Sequence, residues 1–307
     1  MLSYIIKRLL IAIPTLFLIT TMAFFMMRAA PGSPFDIERK LPPEIERNIK
    51  EHYGLDKPLI VQYGDYLKNA VRGDFGPSLK YKDKTVAEII SEGFPVSMTI
   101  GVSSIGLATI IGLILGSIAA IRQNTSADYA VMAFAMFGIC IPTFVVGPIL
   151  VLVFGLKLAW LPAATWGGGQ LEYLIMPVIT LALPQIAIIS RLVRAGMVEV
   201  MRSNYIRTAR AKGLSEREVV IKHALRAAIL PLVSYLGPAV AALLTGSLVV
   251  EQIFQLPGLG KSFVTGAMQR DYTVVMGVVI LYASLIIALN LIADILYSLL
   301  DPRVKYS

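Results

Sequence analysis

Asn204-Tyr-Ile-Arg-Thr-Ala-Arg-Ala-Lys-Gly213-Leu-Ser215-Glu-Arg-Glu218, running on through His223 to Pro231, is a cationic interlude between two apolar segments. Its start and stop signals are complete. Asn204 is placed to cap a helix reaching Lys212, and Gly213 can adopt the left-handed conformation that ends it. Ser215 with Glu218 then reads as a capping box for the next helix. A loop between membrane segments has no need of such definition unless a partner docks on it.

The sequence on either side is membrane. Mean hydropathy is +0.71. Hydrophobic residues make up 56% and charged residues 16%, far from a soluble composition. Six stretches approach or exceed the roughly 20 apolar residues that cross a hydrocarbon core: Leu9–Met27, Ser97–Ile121, Tyr129–Leu156, Tyr173–Ser190, Ala227–Val250 and Tyr272–Ala293. None contains Lys, Arg, Asp or Glu. The first follows Lys7 and Arg8 as a signal peptide would, but its apolar run is too long for a cleaved one, so it reads as a retained span. The predicted fold class is an all-α polytopic membrane protein with six transmembrane helices.

Basic residues set the expected orientation. Arg191–Arg226 holds nine Lys/Arg against three Asp/Glu, a balance of +6, whereas Ala30–Pro95 holds ten against eleven, a balance of −1. Lys7 and Arg8 precede the first span, and Arg303 and Lys305 follow the last. The positive-inside rule therefore places both termini and the Gly213 loop in the cytoplasm. Ala30–Pro95, Lys157–Glu172 and Glu251–Asp271 then face outward. The net charge of +8 reports topology rather than nucleic-acid binding. The two short helices resemble a helix-turn-helix only superficially, being tethered by spans on both sides.

Other chemistries find no support. Cys140 is the only cysteine and lies mid-span, and His52 and His223 fall on opposite faces, so no metal site is expected. Gly258-Leu-Gly260-Lys261-Ser262 resembles the tail of a P-loop, but the first glycine of that motif would fall at Gln255. Asp74-Phe75-Gly76 lacks every other element of a kinase site. No cofactor and no catalytic residue is expected. The span cores lack the ionisable groups that mark ion relays, which argues against a secondary carrier. An intramembrane protease would need an Asp pair or a Ser/His pair. Asp294, near the end of the last helix, has no visible partner and is expected to cap or pack at the interface.

The spans carry close-packing and breaking signals instead. Gly112-x-x-x-Gly116 permits tight helix contact. Pro142 and Pro148, Pro177 and Pro184, and Pro231 and Pro238 interrupt the third, fourth and fifth spans. They either kink an ordinary bundle or line a path that opens and closes. Outside the spans, Pro43–His52 and Ile60–Val71 read as amphipathic, and Glu251–Asp271 as a short re-entrant element.

With these residues in view, Arg207-Thr-Ala-Arg-Ala-Lys-Gly213 followed by His223-Ala-Leu and Leu230-Pro231 resembles the cytoplasmic loop of binding-protein-dependent ABC importer permeases. Arg207 and Thr208 stand where the general pattern has Glu and Ala, and the interval from Gly213 to Pro231 is longer. Both departures are similar to the dipeptide, oligopeptide and nickel branch. So are Pro31-Gly-Ser-Pro34, Tyr53-Gly-Leu-Asp56, Gly73-Asp-Phe-Gly-Pro-Ser78, Leu256-Pro-Gly-Leu-Gly260 and the ending Asp301-Pro302. Within the branch the likeness is strongest to B-type permeases of oligopeptide importers; dipeptide or nickel import is the alternative.

The resemblance implies a subunit of the bacterial plasma (inner) membrane that forms half of a translocation pathway. Its partners would be a second homologous permease, two cytoplasmic ATPases, an extracytoplasmic peptide-binding protein, the peptide itself and the lipid bilayer, with no nucleic acid. It also implies cytoplasmic coupling helices and a large extracytoplasmic loop. The chain would divide into 1–29 (N-terminus and first span), 30–95 (outer loop) and 96–307 (permease core), the last with coupling loop 195–226 and outer segment 251–271. For ATPase docking the expected packing residues are Tyr205, Ile206, Ala209, Ala211, Gly213 and Leu214. The expected polar contacts are Arg207, Arg210 and Lys212. No residue of the substrate pathway is identified.

Overall fold

The structure, a computed structural model, describes residues 2–29, 54, 56–81 and 83–300. The motif Pro31–Pro34, the stretch Pro43–His52, Tyr53 and Leu55, and the ending Asp301-Pro302 with Arg303 and Lys305 lie outside the described residues. Among the described residues regular structure is helical, apart from an isolated bridge between Pro77 and Thr85.

Helix α1 (Leu2–Ala29) is followed by amphipathic α2 (Leu59–Ala70), which lies on it through Phe24 and Tyr63, ring centroids 5.3 Å apart. Helix α3 (Val86–Ile121) begins well before the expected Ser97. Thr85 accepts the Glu88 amide at 3.2 Å, and Glu88 accepts the Thr85 amide at 2.8 Å, a full capping box that starts the helix at Val86 and carries it across Pro95. After α4 (Ser126–Cys140), α5 (Thr143–Leu150) runs into a π-helical turn at Val151–Lys157. Helix α6 (Leu171–Met201) continues past the apolar core to the basic end.

Short α7 (Asn204–Ala211) leads to α8, which runs as Glu216–Glu218, a π segment Val219–Ala224, and Leu225–Ala228. Helices α9 (Leu230–Gly246), α10 (Leu248–Ile253), α11 (Leu259–Gln269) and α12 (Tyr272–Leu300) complete the described chain.

Five spans are long and apolar enough to cross a membrane, and a sixth is formed if α4 and α5 count as one. The third expected span, Tyr129–Leu156, is therefore not a continuous rod: its halves meet at 99°. Pro142 offers no amide to continue α4 and pushes Ile141 into extended backbone (φ −88°, ψ 116°). The fifth, expected to close at Val250, is carried to Ile253 by α10.

The centre of the bundle is the contact of α3 with α6. A Cβ on Gly112 would lie 2.6 Å from the Ile189 side chain, and one on Gly116 would lie 2.5 Å from the Ser190 carbonyl oxygen and 2.8 Å from Val193 Cβ. The close approach expected from the Gly112/Gly116 spacing is present, with Ile189, Val193 and Met197 fully buried beside it. Gly116→Leu is expected to lower stability by about 1–3 kcal/mol through overpacking. Thermal unfolding of the purified protein in detergent checks this; an unchanged midpoint would contradict the packing.

Candidate functional site

Helix α7 stands at the basic end of the bundle, directly after α6. Its cap differs from expectation. Asn204 is the first helical residue, and Ser203 occupies the cap position with its hydroxyl turned back to the Val200 carbonyl at 2.6 Å. The C-terminus follows the sequence closely. Gly213 has φ +77°, its amide donates to Arg210 O at 2.9 Å, and the Leu214 amide donates to Ala209 O at 3.4 Å. This is the paired bonding of a Schellman turn, with Lys212 as the last half-helical residue.

Ser215 then caps α8 by accepting the Glu218 amide at 3.3 Å. The Glu218 carboxylate meets the Ser215 hydroxyl rather than its amide, so the box forms by one arm only. The Lys222 ammonium, hydrogen-bonded to Glu218 at 2.9 Å, and then its charge and the Ser215 hydroxyl, hold the Glu218 carboxyl below its ordinary value.

Ile206 and Ala209, three residues apart and thus on one face, are 0% and 6% exposed. They join the core that contains Val219 and Ala224 of α8. Both were expected as packing residues for a partner; within this chain they are already buried in the core shared with α8. Tyr205, Arg207, Arg210, Ala211, Lys212, Gly213 and Leu214 are exposed. Arg210 is tied to Glu216 across the glycine turn, Nε to Oε1 at 2.6 Å.

Two ion pairs at this end escaped the sequence reading. Asp128, 1% exposed, accepts Arg194 Nε at 2.6 Å and Nη2 at 2.7 Å, together with the Asn124 amide at 2.9 Å. Asp128 lies one position before the apolar stretch at Tyr129, and Arg194 follows the stretch that ends at Ser190. Helices that outrun their apolar cores bring the two together. Asp294, expected to cap or pack without a partner, meets Arg8 Nη2 at 2.8 Å, a contact of charges without hydrogen-bond alignment that joins α12 to α1.

At the opposite end of the bundle two buried carboxylates, Glu251 and Asp271, organise the connecting segments. Gly258, the cap residue of α11, has no side chain to satisfy the helix amides. Ser97 of α3 accepts the Leu259 amide at 3.0 Å, and Glu251 of α10 accepts the Lys261 amide at 3.1 Å. Glu251 is 0% exposed and also accepts the Ser97 hydroxyl at 2.7 Å and the Ser247 hydroxyl at 2.5 Å. A Cβ on Gly258 would stand inside this carboxylate, and one on Gly260 would lie 2.8 Å from Oε2. The P-loop lookalike is thus a helix N-terminus already filled by an anion of its own chain.

Asp271, also fully buried, caps α12 by accepting the Val274 amide at 3.3 Å and takes the Ser78 hydroxyl and the Leu79 amide at 3.2 Å. The Gly73–Ser78 motif is a strap fastened there. Gly76 (φ +84°) is steadied by the Asp74 carboxylate at 2.9 Å, and Phe75 stands 3.4 Å from where a Cβ on Gly277 would lie. A cleft of about 390 Å³ opens beside α11, lined by Tyr81, Lys84 and Glu92, by Trp166, and by Pro257, Lys261 and Ser262.

Comparison with known proteins agrees with this architecture. The family described as "Binding-protein-dependent transport system inner membrane component" matches residues 112–306. Its N-terminal companion, "Binding-prot-dependent transport system membrane comp, N-term", matches residues 1–101. The oligopeptide transport system permease protein OppB of Salmonella typhimurium is 52% identical over 306 residues, covering 100% of both chains. The dipeptide transport system permease protein DppB of Bacillus subtilis is 45% identical over 305 residues, 99% of this chain and 98% of its own.

Among solved structures, an inward-facing MetNI methionine ABC transporter chain aligns with TM-score 0.59 at 18% identity, covering 70% of this chain and 97% of its own. A chain of an amino acid ABC transporter aligns at 0.52 and 15%, covering 71% and 94%. These two likenesses establish the shared fold.

Proposed function

This chain belongs to the family of binding-protein-dependent transport system inner membrane components, and from that premise we propose that it is the permease subunit of an ATP-driven oligopeptide importer. The observation that carries the substrate class is 52% identity across the full length of an oligopeptide permease. Its role is transport, not enzymic catalysis. ATP hydrolysis is assigned to separate subunits, which dock on the exposed face of α7.

In this reading the basic end, with α7 and α8, is cytoplasmic, and the α11 end faces the binding protein. Ile206 and Ala209 fix α7 to α8, while Tyr205, Arg207, Ala211, Lys212 and Leu214 meet the ATPase. Arg210 serves both sides through Glu216. A docked ATPase that moves α7 moves α6 with it, because only Arg202 and Ser203 separate the two helices. A second homologous permease completes the pathway.

A second reading, dipeptide import, has its own support in the 45% identity to a dipeptide permease. Purification of this chain from its membrane in mild detergent, with mass spectrometry of what accompanies it, tests the assembly. A second permease and two ATPases are expected; a homo-oligomer without ATPase overturns the proposal. Competition of labelled peptide uptake by di-, tri- and pentapeptides then assigns the cargo, and competition by dipeptides alone favours the second reading.

A further inference from the structure

The trans cap on α11 has a mechanical consequence. A helix normally satisfies its first amides with its own cap residue. Here Gly258 leaves that task to Ser97 on α3 and Glu251 on α10, so the N-terminus of α11 is complete only while three separate elements stay together. Pulling α11 away would strip Glu251 of the Lys261 amide and of the positive helix end. Pulling α3 away would strip Glu251 of the Ser97 hydroxyl, and the Leu259 amide of its Ser97 acceptor. Neither glycine leaves space for a side chain: a Cβ on Gly258 would meet the carboxylate, and one on Gly260 would meet both Leu248 Cα and the carboxylate. Gly93 of α3 seals the joint from the other side, its Cβ position 3.1 Å from the Leu259 amide nitrogen.

We infer that Glu251 is a positioning residue for transport: it binds α11 to α3 and α10 so that the three travel as one body, and the cleft beside α11 keeps its shape, while the rest of the pathway opens and closes. The inference rests on the reading of this chain as a transport subunit.

The test uses the complete importer, with Cys140→Ser as background and Glu92→Cys on α3 plus Ser262→Cys on α11, both lining the cleft. A reversible bifunctional thiosulfonate bridges the two, and a monofunctional reagent on the same pair controls for obstruction. Peptide uptake of the bridged complex is expected to stay within about twofold of the monofunctional control, and a loss of about tenfold that reduction reverses would show that α11 must move against α3. A Cys140→Ser importer without any peptide uptake would instead count against the proposed function.

In parallel, Glu251→Ala is expected to lower uptake per assembled complex by about tenfold while ATP hydrolysis continues, with Glu251→Gln recovering part of it. Uptake by the Ala variant equal to wild type would overturn the assignment. If that variant fails to assemble, the bridging experiment decides, because Glu251 is intact in it.

Discussion

An importer carrying Gly213→Val is expected to assemble and to hydrolyse ATP but to transport roughly tenfold less than wild type or worse, the size of a lost coupling free energy. The substitution removes no contact, and a Cβ at 213 would meet nothing within 4 Å. What it changes is the backbone. At φ +77° an L-residue costs about 1–2 kcal/mol, and a β-branched one more.

Relieving that cost turns the chain out of the left-handed region and breaks the two bonds from Gly213 and Leu214 that close α7. The angle between α7 and α8 then rests on the burial of Ile206 and Ala209 alone. Tyr205, Arg207 and Lys212 would be presented in a different direction, and the Arg210–Glu216 bridge across the turn would be lost. Asn tolerates this conformation, so the series Gly, Asn, Ala, Val should order the transport rates. Rates that ignore the order, measured by peptide uptake in proteoliposomes at equal complex content, would sink the idea that this turn aims the docking face.

That the turn could be foreseen, and much else could not, has physical causes. A left-handed glycine followed by a Ser-x-x-Glu box is local chemistry, written within six residues of Gly213. The Gly112/Gly116 seam is local as well, because a fixed spacing on one helix puts both on one face. Apolar runs located the spans, but their ends were set by caps such as Thr85 and by charged residues that extend a helix beyond its greasy core. The 99° break at Pro142 was visible as a proline but not as an angle.

Invisible throughout were pairings between distant positions. Nothing near Glu251 in sequence says that the Ser97 hydroxyl of another helix will donate a hydrogen bond to it, and nothing near Ile206 says that α8 will cover it. The residues expected to dock a partner fall on both sides of α7, Ile206 and Ala209 among them; which side is exposed follows only from the tertiary burial of those two.

The Asp128–Arg194 pair yields the second large effect, and its two halves are not equivalent. Asp128 is 1% exposed, whereas the Arg194 side chain is 27% exposed. Arg194→Met leaves the Asp128 carboxylate with only the Asn124 amide to bond it, and losing the charged partner there is expected to cost about 1–3 kcal/mol. Asp128→Asn leaves an arginine whose head can reach water along its flexible stem, which should cost markedly less. The double variant removes both charges and should recover most of the stability, as apolar or neutral replacements of buried pairs do.

Thermal unfolding of the complex in detergent therefore predicts an order: wild type, then the double variant and Asp128→Asn, with Arg194→Met lowest. Transport should fall in all three beyond what stability explains, because the pair joins α4 to the end of α6 that leads into α7. Without it, a displacement of α7 that reaches α6 would be handed to the arm that bends at Pro142 only through packing such as that of Gly138 on Leu183 and Ala187. Equal stability of the two single variants would mean that Asp128 reaches water in solution, and full transport by the double variant would remove this link from the coupling path.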